Sequence, residues 1–492
     1  MIFQLLLVLS FFAKLISTSN DVDNFNIDYP TICQQIEHEF SVATILPSDP
    51  QYQNISHIHW SQTSWKTPFC IFQPDCVEDL QKVIPRLVAE NVQFAIRSGG
   101  HMTMPGAANI DRGVLIDLQR LDKVEYNAER NVVVIGTGQR WKNVYTQLDR
   151  YNVTVVGGRV LDIGVGGLVL GSGLSYLSDL YGLACDNVVN FEVVLADGSV
   201  VNANSNSNSE LFWALRGGSN NFGIVTAMTL YTYPIHQVWG GVKGYTLDEM
   251  PALFDAMLEY QSLPNKDPYA NIMLQGFPTN ASIGILLNMV YLKPIETPPA
   301  FAAFYNITTT FDTTKTQTLT EFLSGQASVD IPRIDTVATS FKPTAALYKR
   351  IQEIITTSSS IKTIKSVTAG SQAFGIQPIT TSLVEAGRRM GGNALGLECV
   401  NQTWLVLDSG WWSSNDDMTV HNAARDMIGD IDSASKSGGD YVEYIFMNDA
   451  SWDQEVIRHY GAENVQRLKR VSELYDPNCV FQRLVPGGYK LP

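Results

Sequence analysis

Leu80, Val83, Ile84, Leu87 and Val88 recur at the three- and four-residue spacing of one helix face, and Pro85 is expected to bend or restart that helix. Val92–Ile96 then reads as a strand, followed by strands over Val114–Asp117, Lys123–Asn127 and Val132–Ile135. Asp197-Gly198 between the apolar runs of Val193–Val201 is a strong hairpin signal. Ser209-Glu210 opens a helix through Leu215 that Gly217-Gly218 closes, and Ile224–Tyr231 reads as a further strand. Beyond Ile235 the texture changes. Helical stretches (Met250–Tyr260, Pro343–Thr356, Met418–Ile428) alternate with β-like ones (Ile283–Tyr291, Trp404–Leu407). That pattern predicts a second α/β lobe, an antiparallel sheet with helices on one side.

Glycine breaks the pattern in two places. Arg97-Ser98-Gly99-Gly100-His101 sets two glycines directly before a histidine. Glycine has no Cβ, so backbone N–H groups there can close on an anion as a nest. The run from Gly157 to Gly173 also holds Gly158, Gly164, Gly166, Gly167 and Gly171, too many for a strand or helix interior. Two such loops in one lobe point to a large cofactor carrying a diphosphate, with a histidine beside it.

The 492-residue chain is long enough for two domains, and its 45% hydrophobic and 17% charged residues suit a well-filled core. A net charge of −15 and the lack of any basic run exclude nucleic acid as a partner. Met1 to about Ser19 reads as a secretory signal peptide, although Lys14 interrupts the apolar run; the run is too short for a membrane anchor. No later segment offers a membrane span, so secretion is expected. The six cysteines are too few to form a framework, and one pair among Cys33, Cys70 and Cys76 could staple the N-terminal segment. Sequons at Asn54, Asn152, Asn280, Asn306 and Asn401 permit glycosylation of a secreted chain.

The G-x-G-x-x-G fingerprint, the P-loop, H-E-x-x-H, paired C-x-x-C and the G-x-S-x-G elbow are all absent. Nucleotide hydrolysis, zinc chemistry and a serine hydrolase therefore have no signature, and no metal is expected.

The ordered motifs resemble the berberine bridge enzyme-like FAD-linked oxidases of the vanillyl-alcohol oxidase group, most closely their fungal members. They are Arg97–His101 with Pro105-Gly106, Gly157-Gly158-Arg159-Val160, Gly164-Val165-Gly166-Gly167, Ala184–Val189, Leu195–Gly198, Phe212–Gly218 and Phe222–Val225, followed by Tyr475-Asp476-Pro477 and Val480-Phe481. The resemblance implies an α+β, two-lobed PCMH-type fold. Its FAD-binding domain would run over 67–234, a substrate lobe over 235–436, and a C-terminal segment over 437–492 returning to the first domain, after a signal peptide over 1–19.

Carried over, Arg97, Ser98, Gly99 and Gly100 would cradle the FAD diphosphate, and His101 would form the 8α-N-histidyl bond. Gly158, Gly164, Gly167 and Gly171 would run along the flavin and diphosphate, Gly223, Ile224 and Val225 would meet the adenine, and Asn448 would lie near the flavin. Many relatives add a cysteinyl bond within a G-x-C segment; here Val160 stands at that position, so a single bond through His101 is expected. A singly linked flavin favours a small-molecule substrate. Ile163 occupies the position associated with oxygen access.

The expected activity is oxidation of a small-molecule alcohol or secondary-metabolite intermediate by hydride transfer to flavin N5, with O2 as acceptor giving H2O2. A dehydrogenase, an oxidative cyclase and a low-turnover secreted flavin-binding protein are the alternatives. Removal of the hydroxyl proton requires a positioned base, for which Tyr444, Asp449, Glu398 and Tyr176 are candidates by type and neighbourhood. Trp404, Trp411 and Trp412 read either as sheet core or as an aromatic substrate wall.

Overall fold

The computed structural model describes residues 29–325 and 331–492; the expected leader, Met1–Ser19, lies outside them. Among the described residues, three sheets build an α+β fold. In the first, Cys70–Phe72, Val114–Asp117 and Phe94–Arg97 run parallel, and Thr44–Ile45 adds antiparallel to Cys70–Phe72. The second is antiparallel, in the order Val124–Asn127, Val132–Gly136, Ile224–Tyr233, Val188–Val194, Val200–Asn204. The hairpin expected at Asp197-Gly198 joins its last pair, with Val194 opposite Val200 and Gly198 at φ +82°.

The helix expected around Pro85, Val77–Ala89, continues through that proline without a break. Proline frees the carbonyl four residues back, at Gln81, and the Gly198 turn packs against that carbonyl and the Pro85 ring, while Gln81 Nε2 donates to the Gly198 carbonyl at 3.1 Å. The following strand starts at Phe94, because the Val92 N–H turns back to the Leu87 carbonyl and closes the helix. Cys33 and Cys70 form the disulfide, leaving Cys76 free and exposed.

The third sheet has eight strands, among them Gln237–Tyr245, Ile285–Tyr291, Ala270–Gly276, Ser371–Ile379, Gln402–Trp411 and Arg333–Phe341, all paired antiparallel. Sequence periodicity found only two of these. The others are buried on both faces or rich in Gly and Gln, so their alternation is faint.

Along Gln402–Trp411, Leu405, Leu407 and Trp411 enter a core shared with helices Met250–Ser262, Ala345–Thr357, Ser359–Ser366 and Asp417–Gly438. Trp404 joins the core shared with the antiparallel sheet of the first lobe. Successive strand residues face opposite ways, so Asp408 lies on the face of Trp404, toward the first lobe. Gln377 shares that face on Ser371–Ile379, opposite Phe374 and Ile376. One face of the sheet is thus sealed by helices and the other meets the glycine loops. At the chain's end, Val480, Phe481, Leu484 and Val485 pack with Phe94, Val114 and Ile116, and the Phe94 N–H donates to the Leu484 carbonyl at 2.8 Å.

Candidate active site

The two glycine loops form one surface. Gly99 and Gly164 meet backbone to backbone, and a Cβ on either would collide with the other. Ser98 Oγ donates to the Thr137 carbonyl at 2.6 Å and accepts from the Gly166 N–H at 3.1 Å. Thr137 Oγ1 in turn donates to the Val225 carbonyl at 2.7 Å, so Ser98, Gly166 and Val225 join one hydrogen-bonded chain. Arg140, not singled out in the sequence, donates to the Gly99 carbonyl at 2.8 Å and to the Asp162 carbonyl. It places a guanidinium against the loop's backbone.

Arg97 lies beneath the loop. It is fully buried and paired with the equally buried Asp117, Nη2 to Oδ2 at 2.9 Å and Nε to Oδ1 at 3.3 Å. His101 stacks on Trp60 with ring centroids 4.2 Å apart. Burial pushes its pKa down to about 4, and the Arg140 charge acts in the same direction, so the imidazole is neutral at physiological pH.

Gly158 is buried against the Trp141 indole, its carbonyl accepting from Tyr145 Oη at 2.9 Å, whereas Val160 is exposed. Ile163 is half-buried and its carbonyl accepts from the Trp141 N–H at 3.1 Å. A Cβ at Gly167 would meet open space, while one at Gly171 would press on the Asn448 amide. Asn448 Oδ1 accepts from the Gly173 N–H at 3.1 Å, pinning the Met447–Asp449 turn against the second glycine run. Gly223 packs on Val193, and Ile224 and Val225 pair with Val194 and Val193.

Among the candidate bases, Asp449 and Tyr176 come together around Arg159. The Arg159 guanidinium lies 5.7 Å from the Tyr176 ring centroid and donates to Gln377 Oε1, and Gln377 Nε2 donates to Asp449 Oδ2 at 2.8 Å. Burial raises the Asp449 carboxyl, with Arg159 opposing. The same cluster holds Asp408, which the sequence did not reveal. Desolvation raises its pKa to about 7, and the Asp449 charge pushes the same way. A carboxylate raised in this way accepts a proton more readily than an ordinary one, as a general base requires.

Tyr176 is buried against Phe322 and raised to about 12 by desolvation. Tyr444 lies in the core between Trp404 and Tyr460, where burial raises it strongly. Glu398 is exposed on the loop before Gln402, its carbonyl accepting from the Gln402 side chain at 3.1 Å. Trp404 and Trp411 are sheet core, and Trp412 is exposed.

A family model described as an FAD binding domain matches residues 68–204. An FAD-dependent monooxygenase of Arthrobotrys oligospora is 36% identical over 478 residues, 95% of this chain and 91% of its own. The chain belongs to the berberine bridge enzyme-like FAD-linked oxidoreductases. Another relative of this FAD-dependent enzyme, the bifunctional solanapyrone synthase of Alternaria solani, is 35% identical over 93% of this chain and 88% of its own. Among solved structures, 6-hydroxy-D-nicotine oxidase of Arthrobacter nicotinovorans superposes with a TM-score of 0.76 at 20% identity, over 91% of this chain and 97% of that one. Glucooligosaccharide oxidase of Acremonium strictum, whose FAD is 6-S-cysteinyl and 8α-N1-histidyl, gives 0.74 at 16% over 90% and 97%. These likenesses show the same PCMH-type fold.

The residues of the oxidoreductase suit FAD. The Gly99–Gly164 contact admits no side chain, Gly167 opens onto free space, and a neutral histidine stands at the loop's end. Among the described residues there is no cluster of His, Cys, Asp and Glu that could hold a metal, and no helix is long and apolar enough to cross a membrane.

Proposed function

We propose that this enzyme oxidises a small-molecule alcohol or a secondary-metabolite intermediate, with the Asp408–Asp449 pair taking the hydroxyl proton. The observation carrying the reading is Asp449, tied through Gln377 to Arg159, with Asp408 raised to about 7 by desolvation and the Asp449 charge. Bound FAD would supply the two-electron acceptor for the hydride, with O2 as the terminal oxidant giving H2O2.

Ser98, Gly99, Gly100, Gly164 and Gly167 would hold the diphosphate with Arg140 as the nearby cation, and His101 would carry the single covalent link. Arg97 would support the loop from below through Asp117. Gly158, Gly171 and Asn448 would line the flavin, Gly223, Ile224 and Val225 the adenine end, and Ile163 the oxygen-facing side. Val160, which has no thiol, leaves no second link. Gln377 fixes the Asp449 carboxylate, so the proton leaves toward a group already oriented. Tyr176, held between Arg159 and Phe322, would form the cleft wall.

Secretion is part of the proposal. The Cys33–Cys70 disulfide and the exposure of all five sequon asparagines, Asn54, Asn152, Asn280, Asn306 and Asn401, support it.

The name of the Arthrobotrys relative favours a second reading, insertion of one oxygen atom into the substrate. Anaerobic mixing with alcohols, followed by product mass after aeration, separates the two. Alcohol oxidation predicts bleaching of the flavin before air is admitted and a product two hydrogens lighter. A product heavier by one oxygen, with no anaerobic bleaching, would favour the monooxygenase.

A further inference from the structure

We propose that the His59–Ser64 segment braces the His101 loop, and that Trp60 is the positioning residue that presents the imidazole for attachment of FAD. The inference rests on His101 as the attachment point and adds what prepares it. The segment precedes residues 68–204, the stretch that matches the FAD-binding domain, so the brace is a feature of this chain outside the matched region.

Polar contacts fasten it to the loop. The Trp60 N–H donates to the Gly100 carbonyl at 3.1 Å, Thr63 Oγ1 to the Thr103 carbonyl at 2.9 Å, and Ser64 Oγ to the Met102 carbonyl at 2.8 Å. His59 Nε2 meets the Ala108 carbonyl at 2.9 Å. Gly100, at φ +66°, lies against the His59 ring, where a Cβ would sit 3.3 Å from Cδ2. On this platform the Trp60 indole stacks on His101 at 4.2 Å with 15° between the ring planes.

A histidine side chain turns about two torsions, and a nucleophile free to turn reacts far more slowly than one held in place. The stack restricts both torsions and covers one face of the ring from water. Trp60 itself is 37% exposed, so it does not fill a core, and changing it leaves the buried framework in place. In the attachment, one C8α–H and the imidazole N–H give way to a C–N bond. Their two protons and two electrons appear on the flavin as its dihydro form, and dissolved dioxygen then takes both as H2O2.

The test compares Trp60→Leu, which keeps bulk without a ring, with Trp60→Phe, which keeps a ring, in the full-length holoprotein as isolated. The readout is the share of flavin that stays with acid-precipitated protein, confirmed by intact mass. The expected result is full retention in the wild type and in Trp60→Phe, and about tenfold less in Trp60→Leu with the melting temperature unchanged. Equal retention in both variants, or equal loss in both, overturns the role of the stack. A His101→Ala control separates this from the underlying reading: flavin retained with that variant would sink His101 as the attachment point itself.

Discussion

Gly99 and Gly164 pack backbone against backbone, and that contact turns two loops far apart in sequence into one continuous cradle. Neither position has room for a methyl group. Gly99→Ala and Gly164→Ala should each cost about 1–3 kcal/mol by overpacking. Each should also lower the flavin content of the purified protein, read by absorbance against protein mass. Wild-type stability and full flavin loading in either variant would mean that the loops can separate without loss.

In the proposed reaction, the proton-accepting carboxyl would set the pH dependence of turnover. Asp408, raised to about 7 by desolvation and by Asp449, accepts a proton only when ionised. The kcat should therefore rise through pH about 7 and level off above it. Asp408→Asn should abolish that limb and lower kcat by about 10²- to 10⁴-fold, the usual range for loss of a general base. Flavin binding should stay intact, since Asp408 takes no part in the glycine cradle. A variant that retained the limb would assign the titration elsewhere.

His421 offers a second titration, visible in stability. It is buried between Asp335, 2.6 Å from Nδ1, and Asp453, 3.3 Å from Nε2, and Arg425 pairs with Asp453 at 3.1 Å. Burial pushes the imidazole down, but the Asp335 hydrogen bond and charge, helped by Asp453, outweigh this and raise its pKa above the ordinary 6.5. Its contribution is therefore fully present below the unfolded pKa and is lost as pH rises through the folded one. Denaturant midpoints of the wild type should fall across that window relative to His421→Gln. Parallel pH curves would contradict the coupling.

Arg97 and Asp117 are both fully buried, and Gln73 also donates to Asp117 Oδ2 at 2.8 Å. Removing one charge strands the other. Asp117→Ala or Arg97→Ala should cost about 3–5 kcal/mol in urea unfolding, and joint replacement by apolar residues should recover part of it. A loss below about 1 kcal/mol for either single change would show that water reaches the pair.

The cofactor half of the site was legible in the sequence because its chemistry is written in contiguous runs. Gly99-Gly100-His101 and Gly164–Gly173 announce a close backbone approach wherever they fall in the fold. The substrate half was not. Asp408 sits in the run Leu405-Val406-Leu407-Asp408, where apolar residues fill both faces of the strand and hide the alternation that would mark it as inward-facing. Only the pairing with Ser371–Ile379 shows that it lies on the same sheet face as Gln377, which holds Asp449. Residue type pointed equally to Glu398, Tyr444 and Asp449, which the fold sends to the surface, the core and the Gln377–Arg159 cluster in turn. Arg140 escaped notice because nothing in its local sequence shows that it reaches the Gly99 carbonyl. Trp60 reads as an isolated aromatic until its ring is seen on His101.

Intact mass of the purified protein, with peptide mapping, shows whether one FAD is held through His101 alone. The expected result is a chain heavier by one FAD less two hydrogens, with the added mass on the peptide containing His101 and none on the peptide containing Val160. An unmodified chain that releases its flavin into acid, or an adduct on any other residue, would contradict it.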